Sequence, residues 1–264
     1  MNRYKLIAID LDDTLLNSQL KISPRSKALI QQLREQGVVV TLSTGRMFLS
    51  SRPIAMELAL DIPLITYQGA LVKNCLSGET LIHRTLAIEY SREIISIARE
   101  KQFHLNLYLE DQLYMEELSP EGEAYARLAG VPVCLVPDLT LLTGEPTKLL
   151  LIGEETSLDQ LQAVLKPHFA GKIHITKSKP YFLEFTHPLA NKGAALAELA
   201  KHYGIAQEET MAIGDSFNDL EMLAYAGLGV AMGNARQEIK DRADYVTATN
   251  EQDGVAAALQ KFCF

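Results

Sequence analysis

Apolar residues along this chain come in short runs, each closed by polar or turn-forming residues. Tyr4 to Ile9, Val38-Val39-Val40-Thr41-Leu42 and Pro63-Leu64-Ile65-Thr66-Tyr67 are nearly unbroken apolar stretches. They have the length and composition of strands buried on both faces, as in parallel sheets. Between the first two, Ser23-Pro24 reads as a helix start with proline at the first helical position. Arg25 to Gln36 then carries Ala28, Leu29 and Leu33 on one face, and Gly37 supplies the stop. Strand, helix, strand, helix, strand predicts a parallel sheet with helices on both faces. Ligands of such sheets bind outside the carboxyl ends of the strands. Asp10, Thr44 and Gln68 sit at those ends.

The rhythm changes near His83. Ser91 to Lys101 is helical in pattern, whereas His104 to Leu109 alternates polar and apolar and pairs naturally with Leu113 to Glu116 across Glu110-Asp111-Gln112. Lys148 to Ile152, Ile173 to Lys177 and Tyr181 to Thr186 add strands, and Ser157-Leu158-Asp159-Gln160 reads as a capping box opening a helix to Leu165. From Asn191 the first rhythm returns: a helix over Lys192–Tyr203, a strand over Glu209–Ile213, closing strands at Leu228–Met232 and Asp244–Val246 and helices over Gln237–Arg242 and Val255–Lys261. The expected fold class is α/β: a doubly wound, Rossmann-like parallel core over residues 1–83 and 188–264, with a smaller α/β domain inserted over residues 84–187.

Composition changes this picture little. The 264 residues are 47% hydrophobic and 22% charged, which fits a globular chain able to bury a core. The net charge of −8 leaves no basic field for nucleic acid phosphates, so no nucleic acid partner is expected. No apolar run is long enough to cross a bilayer, and Met-Asn-Arg-Tyr-Lys is followed by too few apolar residues for a signal-peptide core. Cys75, Cys134 and Cys263 have no metal-like spacing and cannot all pair, which predicts small buried hydrophobes in a reducing cytoplasm.

Charge patterning matters at one place. The first strand runs into three carboxylates within four positions, Asp10, Asp12 and Asp13. Carboxylates that close raise one another's pKa unless a cation neutralises them, and an oxygen-loving divalent ion such as Mg²⁺ is the economical partner. A solvated acidic turn would explain a lone Asp-x-Asp equally well. The other strand ends decide: Thr44-Gly45, Lys192 opening a helix, and Gly214-Asp215…Asp219. Each alone reads as a turn, a solvated side chain or a helix cap, but together they supply what phosphoryl transfer requires. Asp10 can attack phosphorus and form an aspartyl-phosphate. Asp12, two residues on and so on the same side of an extended chain, can protonate the leaving oxygen and later deprotonate water. Lys192, the Thr44 hydroxyl and nearby backbone N–H groups can hold the phosphoryl charge, with Asp215 completing a metal site and Asp219 beside or behind it.

These residues resemble the four motifs of the haloacid dehalogenase superfamily: Asp10-Leu11-Asp12-Asp13-Thr14-Leu15, Ser43-Thr44-Gly45-Arg46, Asn191-Lys192-Gly193 and Gly214-Asp215-Ser216-Phe217-Asn218-Asp219. The long insert between the second and third motifs is similar to the superfamily's C2-type cap, and the combination resembles its Cof-type branch. The resemblance implies a Mg²⁺-dependent phosphatase of sugar phosphates and related small phosphomonoesters. It implies Asp10 as nucleophile, Asp12 as general acid/base, and metal on Asp10, the Asp12 carbonyl and Asp215, with Asp219 at the same site. Thr44, Lys192 and Asn218, with Leu11 and Gly45, would hold the phosphoryl group. Two positions depart from the pattern. Asp13 stands where the broad superfamily often has Gly, and Gln68-Gly69-Ala70 stands where the branch usually has Asn-Gly-Ala. The extra methylene of Gln68 displaces its amide, so the substrate contact expected there does not carry over.

Other features point nowhere in particular. Gly227 to Gly233 lacks dinucleotide-loop spacing, the six histidines show no zinc-ligand pair, Asp241 and Asp244 read as solvated, and Glu184 and His187, near the insert's exit, read either as facing the cleft or as solvated. Two rival functions remain open at this point, a phosphomutase and a non-catalytic phospho-ligand sensor.

Overall fold

The computed structural model describes residues 3–264; Met1 and Asn2, which open the basic N-terminal stretch, lie outside the described residues. The chain forms two compact units. The first takes the chain up to Gly45, Ser51–Ile82 and Asn191–Phe264; the second takes Arg46–Ser50 and His83–Ala190.

In chain order the elements begin with β1 (Leu6–Ile9), α1 (Pro24–Glu35), β2 (Val39–Leu42), α2 (Phe48–Glu57), β3 (Pro63–Thr66), β4 (Leu71–Asn74) and β5 (Thr80–His83). Helix α1 starts as its Ser-Pro signal predicts, with the Ser23 hydroxyl accepting from Ser26 N at 3.1 Å. Its buried face is Ser26, Leu29, Ile30 and Leu33. Ala28 is exposed instead, because the stripe is set by Leu29–Leu33 spacing and Ala28 falls just outside it. The β3 run does not join the parallel sheet as a full strand. It pairs antiparallel with β4, which leads to β5, and is tied to the second strand by a parallel bridge between Ser43 and Ile65 and by the Thr41 hydroxyl, which donates to Pro63 O at 2.8 Å. The β4–β5 hairpin escaped the sequence reading; its turn is made by the Asn74 carboxamide, which accepts from Leu76 N and Ser77 N.

The second unit holds α3 (Ile88–Lys101), β6 (His104–Leu109), β7 (Gln112–Met115), α4 (Pro120–Ala129), β8 (Val133–Leu135), β9 (Lys148–Ile152), α5 (Glu155–His168), β10 (His174–Lys179) and β11 (Phe182–Thr186). Its six strands lie in the order β10-β11-β9-β6-β7-β8, antiparallel except for the parallel β7–β8 pair. Glu110 and Asp111 take positive φ (51° and 59°) and make the tight β6–β7 turn. One sheet face, with Leu105, Leu107, Leu149, Leu151, Leu183 and Phe185, packs in one cluster with Ile94, Ile95, Leu158 and Leu165 of the helices. Two expectations need correcting. Helix α5 is capped by Glu154, whose carboxylate accepts from Thr156 N and Ser157 N, so Ser157 lies inside the first turn and the helix runs on to His168. Helix α4 and strand β8 went unpredicted, although Ser119-Pro120 repeats the Ser-Pro start of α1 and Ser119 caps Gly122 N at 3.1 Å.

The chain then returns to the first unit with α6 (Lys192–His202), β12 (Thr210–Gly214), α7 (Leu220–Tyr225), β13 (Leu228–Ala231), α8 (Gln237–Lys240), β14 (Tyr245–Val246) and α9 (Gly254–Cys263). The parallel sheet runs β14-β13-β12-β1-β2. Helices α6 and α7 pack in one cluster with Leu6, Ala8 and Ala212 of the sheet, while α1 packs against α9. Its register sets up the site. Ile9 lies beside Leu42 on one side and Ile213 on the other, so the residues after all three leave the sheet along one edge. Those residues are Asp10, Ser43-Thr44 and, one position further on because Gly214 ends β12, Asp215.

Candidate active site

Asp10 sits directly after β1, buried at 6% exposure, with its N–H donating to Ile213 O at 3.0 Å. Lys192 is the first residue of α6 and has no exposed surface. The Asn191 side chain caps that helix by accepting from Ala194 N at 2.7 Å, which fixes where Lys192 begins its path. The ammonium donates to Asp10 Oδ1 and to Asp219 Oδ1, both at 2.6 Å. Asp219 turns its other oxygen to the loop before it, where Oδ2 accepts from Asp215 N and Ser216 N at 3.0 Å each. Asp215 Oδ1 in turn accepts from the Thr14 hydroxyl at 2.7 Å. Four of the residues singled out from sequence are therefore joined in one network.

Burial raises the Asp10 carboxyl well above the usual carboxylate range; Lys192 opposes that, while Asp219 and Asp215 add to it. Asp215 is pushed up to about 7, by burial first and then by Asp219, with the Thr14 hydrogen bond opposing. Lys192 moves the other way. Burial alone would lower its pKa, but the charges of Asp10 and Asp219 outweigh that and hold it firmly protonated. Three carboxylates thus face one ammonium in a largely dry site, an excess of buried negative charge that calls for a further cation.

Asp10, Asp215 and Asp219 each offer an oxygen within 4.8 Å of the others. An all-carboxylate oxygen set suits a hard divalent ion such as Mg²⁺. Asp219 already accepts three N–H bonds, so Asp10 and Asp215 are the carboxylates better placed to reach an ion.

Asp12 lies in a turn whose shape the sequence did not reveal. The chain does not stay extended through it: Leu11–Leu15 is one wide turn, closed by Leu15 N to Asp10 O and Leu16 N to Leu11 O. Asp13 takes φ 59°, and the side chain of Asp12, at φ −73° and ψ 130°, is half-buried. The period-of-two argument for placing Asp10 and Asp12 on one side therefore does not apply. Leu11 has a fully buried side chain, so only its backbone can serve a ligand. Asn234 Nδ2 donates to Asp13 O at 2.8 Å and Asn250 Nδ2 to Leu16 O at 3.1 Å, fastening this turn to the C-terminal part of the chain.

Thr44 is buried, its N–H donating to Ile65 O at 2.9 Å and its carbonyl accepting from Gln68 N at 3.1 Å. Gly45 follows it, against the Gln68 side chain. Asn218 donates to Gln68 Oε1 at 2.9 Å, while its own Oδ1 and the neighbouring turn's Ser43 Oγ are buried without a hydrogen-bond partner. The sequence reading missed Thr14, Asn234 and Asn250. Thr14 lies in the acidic motif itself, and the two asparagines stand in turns after the last long strand, where nothing local marks them.

The sequence matches the haloacid dehalogenase-like hydrolase family over residues 7–259. It is 33% identical to the HMP-PP phosphatase of Serratia proteamaculans, covering 97% of this chain and 94% of that one. It is also 33% identical to the 5-amino-6-(5-phospho-D-ribitylamino)uracil phosphatase YitU of Bacillus subtilis, covering 97% of each. The fold superposes on the crystal structure of a haloacid dehalogenase-like hydrolase from Bacteroides thetaiotaomicron with a TM-score of 0.90, at 35% identity over 98% of this chain and 99% of the other.

Proposed function

From the fact that the chain belongs to the haloacid dehalogenase-like hydrolases, in their Cof-type branch, and is a phosphoric monoester hydrolase, we propose that it cleaves small phosphomonoesters, sugar phosphates foremost, with Mg²⁺ and through an aspartyl-phosphate. The observation that carries this reading is the buried Asp10–Lys192–Asp219 contact at the carboxyl edge of the parallel sheet. A nucleophile needs to be ionised, oriented and shielded from bulk water. Lys192 orients Asp10 by holding its Oδ1 and works against the burial that raises its pKa, a bound Mg²⁺ would complete the ionisation, and the other carboxylate oxygen is left to attack.

The bond from that oxygen to phosphorus forms as the ester bond breaks, and Asp12 gives its proton to the departing alkoxide. Asp12 then takes a proton from a water that attacks phosphorus, the Asp10–phosphorus bond breaks, and orthophosphate leaves. Lys192, the Thr44 hydroxyl, Asn218 and the N–H groups of Leu11 and Gly45 hold the phosphoryl oxygens. Asp10, Asp215 and the Asp12 carbonyl would hold Mg²⁺, with Asp219 behind them fixing Lys192 and the Asp215 loop. The ion, when bound, neutralises phosphoryl charge. We assign substrate choice to the inserted domain of residues 84–187, acting as a cap. The relatives' substrates support small phosphate esters as the class, one of them a phospho-D-ribitylamino compound. The free cysteines Cys75, Cys134 and Cys263 fit a reducing compartment, the cytoplasm. Among the described residues no helix is long and apolar enough to cross a membrane.

The test is phosphate release from a panel of sugar phosphates, pyridoxal phosphate, flavin mononucleotide, nucleotides and an aryl phosphate, with Mg²⁺ or with EDTA. Mg²⁺-dependent release is expected, abolished in Asp10→Asn while its thermal melt stays cooperative. Tight binding without release would make the protein a sensor; return of phosphate to sugar instead of water would make it a mutase. Near-normal turnover by Asp10→Asn would remove the nucleophile assignment.

A further inference from the structure

The turn Tyr67-Gln68-Gly69 lies outside the four motifs, yet it touches three of them. Gln68 N donates to Thr44 O at 3.1 Å, and the Gln68 carboxamide lies so close to Gly45 that a Cβ there would stand 2.9 Å from Gln68 Cδ. Gly69, at φ 92°, packs on the carbonyl of Asn191, the residue that caps the helix carrying Lys192; a Cβ at Gly69 would overlap that carbonyl. Gln68 Oε1 accepts from Asn218 Nδ2 at 2.9 Å. The backbone is strained to make these contacts. Tyr67 and Gln68 are successive residues with side chains at φ 51° and 58°, and both are buried. Left-handed residues of this kind persist only where the surroundings over-determine them, and they concentrate at functional sites.

Asn218 is the informative partner. Its Nδ2 is engaged by Gln68 while its Oδ1 is buried and bare. Bare buried acceptors are costly, and such atoms concentrate where something else completes them. An asparagine at position 68 would end one methylene short of this contact. We propose that Gln68 is a positioning residue for phosphoryl transfer: it fixes the Asn218 carboxamide and locks it to the Thr44-Gly45 turn, so that the phosphate-holding groups of separate loops keep one register. This rests on the phosphatase reading and adds to it a residue outside the motifs. The length of Gln68, rather than any contact of its own with substrate, is then what matters, and the lost asparagine contact at this position is replaced by an indirect one.

The test is a double-mutant cycle in kcat/KM over wild type, Gln68→Leu, Asn218→Ala and the double variant, with thermal melting of each. Misplacing a phosphate-holding group lowers kcat by about a hundredfold, and Gln68→Leu is expected to do so with KM little changed. In the Asn218→Ala background the same change is expected to cost less than about twofold, because its effect runs through Asn218. A Gln68→Leu enzyme as active as wild type, or losses that multiply in the double variant, would overturn the proposal. If Gln68→Leu does not fold, Gln68→Asn keeps a carboxamide that ends one methylene short of Asn218. It is then expected to lower kcat and to weaken inhibition by inorganic phosphate, and a folded Gln68→Asn unchanged in both overturns the proposal equally. A wild-type protein that releases phosphate from no ester would fail the phosphatase reading itself, and this proposal with it, before any variant is compared.

Discussion

Each of the two units buries one lysine completely. Lys192 in the first has 0% exposure and donates to two carboxylates at 2.6 Å. Lys148 in the second has 1% exposure, lies 3.5 Å from Glu184 Oε1 and sits 4.8 Å from the centre of the Tyr108 ring. Both obey the rule that lysine leaves water only when paired. The pairs differ in balance. Around Lys192 three carboxylates converge on one cation, and two of them, Asp10 and Asp215, are held above their usual pKa. Around Lys148 the facing carboxylate is Glu184, which takes a further hydrogen bond from Ser178 at 2.7 Å. An unbalanced cluster is a site awaiting charge; the Lys148–Glu184 pair is closer to a strut.

Replacing each lysine by methionine tests that difference directly. Lys192→Met removes an ammonium that meets developing charge, and phosphate release should fall by about 10²- to 10³-fold. Lys148→Met strands Glu184 in the interior, and breaking a buried pair costs roughly 3–5 kcal/mol, read as a lowered denaturant midpoint at unchanged slope. Adding Glu184→Leu should recover most of that stability, since an apolar pair of similar volume is about as good as the ion pair. Failure to recover would mean that Glu184 does more than balance Lys148.

The two units should also respond to pH with opposite sign. In EDTA, burial and Asp219 push Asp215 up to about 7 in the folded protein, against its ordinary 3.8, and Asp10 is raised as well. The unfolded chain then loses its protons first, so this cluster lowers stability as pH rises between about 4 and 7. Mg²⁺ needs the ionised carboxylates, so the gain in Tm on adding it should grow over the same window. In the second unit Asp138, bonded to Thr140 and Arg99, and Glu154, bonded to Thr156 and Ser157 N–H, are both held down to about 2. Their stabilisation is present above their ordinary values of 3.8 and 4.5 and is lost as pH falls toward 2. Melting from pH 3 to pH 8, with and without Mg²⁺, separates the two; a Mg²⁺ gain independent of pH would contradict the raised carboxylates.

The same contrast explains what the sequence made legible. The site residues stand at strand ends in parallel β1, β2 and β12, and a strand end is a local signal: an apolar run that stops in Asp, Thr or Gly. The reading reached Asp10, Thr44 and Asp215 for that reason, and Lys192 as the first residue of a helix. It could not reach Thr14, Asn234 or Gln68 as partners, because contacts spanning 201, 221 and 150 residues leave no local trace. In the second unit Lys148 reads only as the first residue of a strand, since its burial depends on Tyr108 and Glu184 arriving from β6 and β11. Asp12 shows the opposite failure, a residue singled out through a local geometry that its turn does not have.

Helix caps give the smallest effect and the tightest comparison. Ser23-Pro24 opens α1 in the first unit and Ser119-Pro120 opens α4 in the second, each hydroxyl accepting from the N–H three residues on at 3.1 Å. Replacing such a serine by alanine costs about 1 kcal/mol in either place. Beyond the cap, the Ser119 hydroxyl also meets His104 Nδ1 at 2.8 Å and Glu121 at 2.9 Å, whereas the Ser23 hydroxyl meets only Ser26 Oγ at 3.0 Å among the hydrogen bonds described. His104 Nε2 in turn pairs with buried Asn106 at 2.9 Å, so removing the Ser119 hydroxyl loosens a link to the sheet as well as a helix start. Ser119→Ala should therefore destabilise more than Ser23→Ala, by a few tenths to 1 kcal/mol on the scale of one neutral hydrogen bond, about 1 kcal/mol. Equal losses by denaturant unfolding would show that the His104 contact contributes nothing and that the two starts, so alike in sequence, are alike in energy too.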